Sequence, residues 1–587
     1  MRLVETRLFE GPNVYRLEPV VKLEVAVGRR RTWYGQRDPG RHALVHLGAN
    51  VPVREWPDPV AAIVAWIRRL RTDHREGRGG VAVHRSSDPG HWLVTFPWVG
   101  AERALALTEA AIALADRDVS PSRTARLTGA QERLLARWSE RIATAGTTPP
   151  EWVRDADRTM PVVSISGTNG KSTVTRLITH VLQHGGRRVG TTTSDGVLVG
   201  ERMVEPGDWT GPGGAHQILA RRDVEVAVLE TARGGIVLRG MGYESNDASV
   251  LTNVSSDHLD LQGIHTLPEL AEVKSTVCRI TRADGWVVLN ADDPLVAAVA
   301  RRVKANVALF TLQGDDSAVV RRHRERGGRA YLVRDGIIVE ANGDDETRIV
   351  DAAKVPITIG GLARHNVANA LAAAGGARGL GATIAQVRDG LRDFAPSEEH
   401  SPGRLNLFRL GVRIIIVDFA HNEAGIGAVL DVAQGIAAGA AGRTAPITAI
   451  IGTAGDRPDD TLRGIGRIAA ERAQRVAIKQ TLKYLRGRSA ESVVGELLVG
   501  IVAGGGSAAD VPIYDTETEA LQAELNGAAG AGADGRRPDA GQVIVLMCHE
   551  DRDGVFELLK RLGARPVDVA TELTELVPRM QGRPRRG

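Results

Sequence analysis

Between Pro161 and Leu182 the chain changes rhythm twice. It runs apolar and β-branched through "PVVSIS", turns at "GTNG", and continues in "KSTVTRLITHVL" with apolar residues at helical spacing. Short runs of the first kind recur as "VEVAVLE", "ASVLTNV", "GWVVLN" and "VALFTL", and helical segments separate them. Such alternation predicts an α/β domain with a mostly parallel sheet over residues 159–398. A turn-rich connector, "APSEEHSPGR" (Ala395 to Arg404), then gives way to a second set. "VRIIIVDFA", "APITAIIGT", "RVAIKQT" and "GQVIVLMC" are predicted strands, separated by helices such as "DDTLRGIGRIAAERA". They predict a smaller, doubly wound, Rossmann-like domain over residues 399–577. Residues 1–155 follow another pattern. "VVKLEVAV" and "HWLVTFPWV" read as strands, "PVAAIVAWIRRL" and "AERALALTEAAIALA" as helices, which makes an α+β domain.

Composition agrees with several domains rather than one. A chain of 587 residues with 43% hydrophobic and 25% charged residues is an ordinary globular protein. Its length suits about three or four domains. Seven of the nine tryptophans (Trp33, Trp56, Trp66, Trp92, Trp98, Trp138, Trp152) fall in the first segment, where a core role is expected. The formal charge of +4 is small for this length and does not point to nucleic acid. The basic run Gly28 to Arg41 is expected to be a solvated loop, or a hold on an acidic substrate. Cys278 and Cys548 give neither a disulfide framework nor zinc spacing. No apolar run approaches a membrane span and the N-terminus has no continuous apolar stretch, so a cytoplasmic protein without membrane partners is expected. "LNGAAGAGADGRRPDAGQ" reads as a surface loop and "QGRPRRG" as a frayed tail.

The strand–turn–helix at Pro161 is the grammar of a phosphate loop. Glycines allow close approach, and the N–H groups at the helix N-terminus face an anion. Gly167, Thr168, Asn169 and Gly170 would form the turn, Lys171 would reach the outer phosphates, and Ser172 or Thr173 would hold Mg²⁺. The match is to the short form G-T-N-G-K-S, since Ile165 stands where the commoner pattern has its first glycine. Glu230 ends the apolar strand of "VAVLETARGG", at the edge where open α/β sheets bind ligands, and suits a magnesium-bound nucleotide. "LTNVSSDHLDLQG" offers Asn253, Asp257, His258 and Asp260, with His258 a candidate for a second metal or an acyl phosphate, or a hydrogen-bonded structural histidine. Lys274 lies in a helical stretch beside Leu270, Val273 and Val277, where a snorkelling lysine is the plain alternative. Asn366 and Asn369 share a helical face and could read an adenine edge, or Asn366 could sit near a helix cap. Arg404 and Asp418, beyond the connector, could supply a phosphate cation and a ribose carboxylate.

Together these residues resemble the Mur ligase family of ATP-dependent amide-forming ligases, and within it the Mur-ligase-like part of cyanophycin synthetases. The motifs that carry the resemblance are "GTNGKST", "TTTSDGV", "GDWTGP", "LETARGGI", "TNVSSDHLD", "VLNADDP", "RHNVANALAA", "SPGRLNLF", "VDFAHNEAG", "GDRPDD" and "LRGR", in series from residue 161 to 488. The resemblance implies a central ATP-binding domain and a C-terminal ligase domain. Lys171 and the loop amides would hold ATP, and Ser172, Glu230 and His258 would belong to magnesium sites. Lys274 matches a lysine that is carbamylated in many Mur ligases, which would make it a metal ligand. Asn366 and Asn369 match adenine contacts, Arg404 a phosphate contact and Asp418 a ribose contact. The substrates implied are ATP, a carboxylate-bearing amino acid or peptide, and an amine or amino acid. A homo-oligomer, dimer or tetramer, is implied as well.

Two departures qualify the resemblance. "RLFEGPNVYRLEPVVKLEVAVG" is similar to the N-terminal domain of cyanophycin synthetases, but only Pro149 to Thr159 separates it from the Mur-like core. That leaves no room there for an ATP-grasp domain, so one ligation rather than an alternating pair is expected. Gln480, Leu482 and Tyr484 in "IKQTLKYLRGR" put an arginine substrate in doubt. The alternatives are a non-catalytic nucleotide-binding partner of a separate ATP-grasp enzyme, or a folate-type or cell-wall ligase acting on another carboxylate.

Overall fold

The computed structural model describes residues 1–27, 50–76, 80–86, 88–256, 259, 262–439, 445–527, 541–569 and 572. The basic run from Gly28 to Arg41, Trp33, His258, Asp257 and Asp260, residues 528–540 and the "QGRPRRG" tail lie outside them. The chain divides into two compact units, one of Met1–Thr175 with Gly186–Ala308, the other of Arg176–Gly185 with Leu309–Gly587.

The first unit holds two sheets. The N-terminal one has four antiparallel strands, ordered Arg2–Phe9, Val20–Ala26, His91–Pro97, Ala82–Arg85. Helices Asp58–Asp73 and Ala101–Asp116 pack their apolar faces on it, around Val21, Leu23, Ile63, Ile67, Val94 and Leu107. The expected core role holds for two tryptophans in full. Trp66 and Trp98 are buried, and their indole N–H groups donate to the carbonyls of Val119 (2.8 Å) and Phe9 (3.0 Å). Trp56, Trp92 and Trp138 pack half-buried against the same core.

The second sheet of this unit carries the phosphate loop. Strands Thr281–Asn290, Asn246–Leu251, Val162–Ser166, Val226–Glu230 and Val189–Thr192 are adjacent in that order and parallel. Gly196–Val199 and Arg202–Pro206 extend the edge antiparallel. Val162–Ser166 and Val226–Glu230 are buried at every position, as expected of strands covered on both faces. Their carboxyl ends therefore deliver Ser166 and Glu230 to one edge of the sheet, where polar residues meet ligands.

The second unit contains three antiparallel strands, Arg329–Arg334, Ile337–Asn342 and Asp345–Asp351, which the α/β alternation did not predict. It also holds helices Arg364–Gly379 and Ile384–Asp393 and a seven-stranded sheet. That sheet is ordered Ile513–Tyr514, Arg475–Lys479, Ile447–Ile451, Gln542–Met547, Arg413–Asp418, Asn406–Leu410, Arg565–Pro566. The first five strands are parallel and the last two antiparallel. Helices Glu423–Gly439, Asp459–Arg472 and Ala490–Ala503 share one core with the sheet, and Glu517–Gly527 and Arg552–Arg561 share another. Burial on both faces is the doubly wound arrangement that the apolar runs predict. Among the described residues, no helix is long and apolar enough to cross a membrane.

Candidate active site

Strand Val162–Ser166 leads through Gly167–Gly170 into helix Lys171–His184. Gly167 has φ +148° and Gly170 φ +85°, conformations that side chains with a Cβ rarely adopt. At Gly167 the neighbour decides as well, because a Cβ there would lie 1.9 Å from Thr252 Oγ1. The loop is stapled to the end of the adjacent strand. Thr168 N–H donates to the Asn253 carbonyl (2.8 Å) and Asn169 N–H to Asn253 Oδ1 (2.9 Å). Asn253 Nδ2 and Thr252 Oγ1 both donate back to the Asn169 carbonyl, at 3.0 and 2.7 Å. Ser255 N–H donates to Thr168 Oγ1 at 3.0 Å. Thr168 and Asn169 thus spend their N–H groups on shaping the loop. The N–H groups of the helix's first turn, from Lys171 through Thr173, have no intrahelical acceptor and remain the natural anion donors. Lys171 folds over the turn, its Nζ donating to the Thr168 carbonyl at 2.9 Å. A Gly167→Ala variant is expected to lower the thermal midpoint, because either Thr252 or the loop must move, and to weaken at least tenfold the binding of any nucleotide the loop holds. Isothermal titration with a thermal melt checks both effects.

Ser172 Oγ donates to Glu230 Oε1 at 3.1 Å, and both residues are buried. A hydroxyl and a carboxylate at one strand edge beside a phosphate loop form an all-oxygen donor set, which fits a hard cation such as Mg²⁺. Thr173 is buried one residue further along the helix. Glu230 also lines a water-sized cavity with Thr192, Thr210, Gly211 and Tyr243. The "GDWTGP" and "LETARGGI" segments therefore share one wall.

Lys274 closes helix Leu267–Lys274, and its ammonium does not snorkel. Lys274 is buried, and its Nζ donates to the Gly167 carbonyl at 2.7 Å. Lys171, Ser172, Glu230 and Lys274 are thus gathered around Gly167–Gly170. His258 lies outside the described residues.

In the second unit Asn366 and Asn369 are buried on helix Arg364–Gly379, whose cap residue is Ala363, so Asn366 stands in the first turn, near the cap. Asn369 Nδ2 donates to Asn366 Oδ1 (2.9 Å), and Asn366 Nδ2 to the Ile357 carbonyl (2.9 Å). Arg404 and Asp418 are also brought together. The Arg404 guanidinium carbon lies 4.5 Å from the centre of the Phe419 ring. Asp418 accepts from the N–H groups of Leu405 and Ala420, both at 2.7 Å. Burial pushes the Asp418 carboxyl upward, and Arg404 and the two N–H groups only partly offset it.

Sequence reasoning missed Thr252 as the partner that makes Gly167 obligatory. It also missed a buried Lys479–Glu517–His549 cluster at the carboxyl edge of the C-terminal sheet. Lys479 Nζ lies 2.6 Å from Glu517 Oε1 and 3.0 Å from His549 Nδ1. The one signal for it was a lysine closing an apolar strand, "RVAIK".

Residues 165–377 match the Mur ligase middle domain, and residues 403–548 the Mur ligase glutamate ligase domain. The cyanophycin synthetase of Crocosphaera subtropica is 41% identical over 378 residues, 64% of this chain and 42% of that protein. The UDP-N-acetylmuramoylalanine–D-glutamate ligase of Symbiobacterium thermophilum is 32% identical over 241 residues, 40% of this chain and 45% of that one. E. coli FolC in complex with ADP, 17% identical, superposes with a TM-score of 0.48 over 69% of this chain and 89% of its own. The match to the cyanophycin synthetase spans less than half of that relative's length. With a middle domain and a C-terminal ligase domain in series, the chain belongs to the Mur ligase family.

Proposed function

We propose that the chain is an ATP-dependent ligase that joins a carboxylate to an amino acid or other amine as an amide or isopeptide bond, releasing ADP and phosphate. The observation that carries this reading is the gathering of Lys171, the Ser172–Glu230 pair and Lys274 around one phosphate loop. A loop with this much apparatus suits phosphoryl transfer better than nucleotide storage.

The chemistry follows from the poor electrophilicity of a carboxylate at neutral pH. In the first step a substrate carboxylate oxygen bonds to the γ-phosphorus while the bond from that phosphorus to the β–γ bridging oxygen breaks, and ADP leaves. The amine nitrogen then attacks the acyl carbon, gives up its proton, and phosphate departs with the carboxylate oxygen. Lys171 and the first-turn N–H groups hold the outer phosphates in line and offset their charge. Ser172 and Glu230 would hold Mg²⁺, which supplies electrostatic stabilisation of the phosphates when bound. Lys274, as an ammonium, fixes the Gly167 carbonyl and so the turn. As a carbamate it would add an anionic ligand at the loop, and the intact mass of protein equilibrated with bicarbonate distinguishes the two forms. Asn366 and Asn369 are assigned to adenine, Arg404 to a phosphate, Asp418 to a ribose hydroxyl and His258 to a second metal. One phosphate loop corresponds to one ligation. We further propose a cytoplasmic homo-oligomer that binds neither nucleic acid nor membrane.

The test is phosphate release with ATP and Mg²⁺ over a panel of amino acids paired with short acidic peptides, with Lys171→Ala as the blank. Turnover with a pair, and not with either member alone, is the expected result and names the substrates. ATP binding without turnover on any pair overturns the reading and favours a nucleotide-binding partner subunit.

A further inference from the structure

The carboxyl edge of the C-terminal sheet holds an ion cluster that the proposed chemistry does not use. Lys479 ends strand Arg475–Lys479 and Glu517 begins helix Glu517–Gly527, and both side chains are fully buried. The three protons of the Lys479 ammonium have three acceptors: Glu517 Oε1 at 2.6 Å, His549 Nδ1 at 3.0 Å and Thr481 Oγ1 at 3.2 Å. Because an ammonium donates to Nδ1, the His549 ring is neutral and carries its proton on Nε2. That Nε2–H donates to the Ala420 carbonyl at 2.9 Å. Burial, with the Lys479 charge beside the ring, holds His549 well below the usual histidine range. His421 is the other titratable ring nearby, its centre 6.5 Å from that of His549.

The turn that receives this hydrogen bond also carries candidate nucleotide contacts. Ala420 N–H donates to Asp418 Oδ1, and the other oxygen of Asp418 accepts from Leu405. Leu405 has φ +53°, a left-handed conformation that costs a branched residue free energy and needs outside support. Between Ala420 and Asp418, Phe419 packs edge-on against His549 (5.2 Å between ring centres) and offers its face to Arg404 (4.5 Å). The lysine thus fixes the tautomer of His549, His549 fixes the Ala420 peptide and the Phe419 ring, and Phe419 and Leu405 fix Arg404.

We propose that the buried Lys479–Glu517–His549 cluster is a positioning device for Arg404, setting its guanidinium for the nucleotide from the far side of the Asp418–Ala420 turn. The inference rests on the reading of Arg404 as a nucleotide-phosphate contact.

The test is a double-variant cycle on Mg·ADP affinity in the full chain, read by titration calorimetry well below every variant's melting temperature. Arg404→Ala is expected to weaken binding, and His549→Ala to weaken it by roughly tenfold. Combining the two is expected to add less than about twofold to Arg404→Ala alone, because one acts through the other. His549→Gln, whose amide N–H can still reach the Ala420 carbonyl, is expected to bind within about threefold of the parent. Phe419→Leu leaves the ion cluster whole and supplies the same cycle if His549→Ala does not fold. Penalties that multiply in both cycles, or a His549→Ala protein that melts earlier yet binds ADP normally, would overturn the proposal. An Arg404→Ala protein that binds ADP normally removes the reading of Arg404 itself, and the positioning role falls with it.

Discussion

Lys171→Ala is expected to lower kcat/KM for ATP by roughly 10³-fold, with a melting temperature within about a degree of the parent. A factor of that size is about 4 kcal/mol of transition-state stabilisation. It is reasonable for a cation placed where charge spreads over the transferring phosphoryl oxygens, in a site walled by buried strands. The fold loses little. The Lys171 hydrogen bond goes to the Thr168 carbonyl, and the loop keeps its shape through Thr252, Asn253 and Ser255. Lys171→Arg is expected to recover less than a tenth of the activity, since a planar fork cannot replace a compact ammonium over a tight turn. Steady-state kinetics with a matched melt checks both. Activity within tenfold of the parent in Lys171→Ala would sink the phosphate-loop assignment.

Much of this site is legible in the sequence because its parts are local. The apolar run, the glycine turn and the helix of Pro161–Leu182 are contiguous, and each obeys a short-range rule: burial on two faces, permissive φ, 3.6-residue spacing. Glu230 was legible for a related reason, as a carboxylate that closes a fully apolar strand. The partners were not legible. Thr252 lies far along the chain from Gly167, and only the parallel pairing of Val162–Ser166 with Asn246–Leu251 makes its hydroxyl the neighbour that forbids a Cβ. The spacing around Lys274 shows only a helical lysine, and the family resemblance alone singles it out; its bond to the Gly167 carbonyl depends on tertiary packing that periodicity does not encode. The strands from Arg329 to Asp351 escaped for the opposite reason. Polar residues interrupt them, and antiparallel hairpins need no crossover helix to mark them. Asn366 and Asn369 were found as a helical pair, but their mutual hydrogen bond leaves less free amide surface than the spacing alone suggests.

The same limit applies to Glu517, whose partners come from two other parts of the C-terminal sheet, and there the expected effect is on stability. Its carboxylate accepts from Lys479 Nζ (2.6 Å), from the N–H groups of His549 (2.5 Å), Glu550 (3.0 Å) and Asp551 (2.8 Å), and from Cys548 Sγ (3.1 Å). Glu517→Gln keeps the volume but removes the charge and turns an amide N–H₂ toward groups that all donate. Lys479 is then left charged and buried with no anion, a loss of about 3–5 kcal/mol. In a unit of this size that lowers the melting temperature by roughly 10 °C. Lys479→Met combined with Glu517→Gln is expected to cost less than the sum of the single changes, because no buried charge is stranded. It will not reach parity, since the three backbone N–H groups still lose their carboxylate. The acid limb gives an independent check. Burial raises the Glu517 carboxyl, but the Lys479 charge and the backbone donors outweigh it and hold the group well below the usual glutamate range. A carboxylate depressed in the folded state contributes stability that is fully present above the unfolded value and is lost as pH falls through the folded one. The parent should therefore lose stability progressively below about pH 4.5, and Glu517→Gln, already without that contribution, should show a shallower slope there. Parallel slopes in the two proteins would mean that the Glu517 carboxyl titrates alike in the folded and unfolded chain, and the buried pair would then contribute nothing to the acid limb.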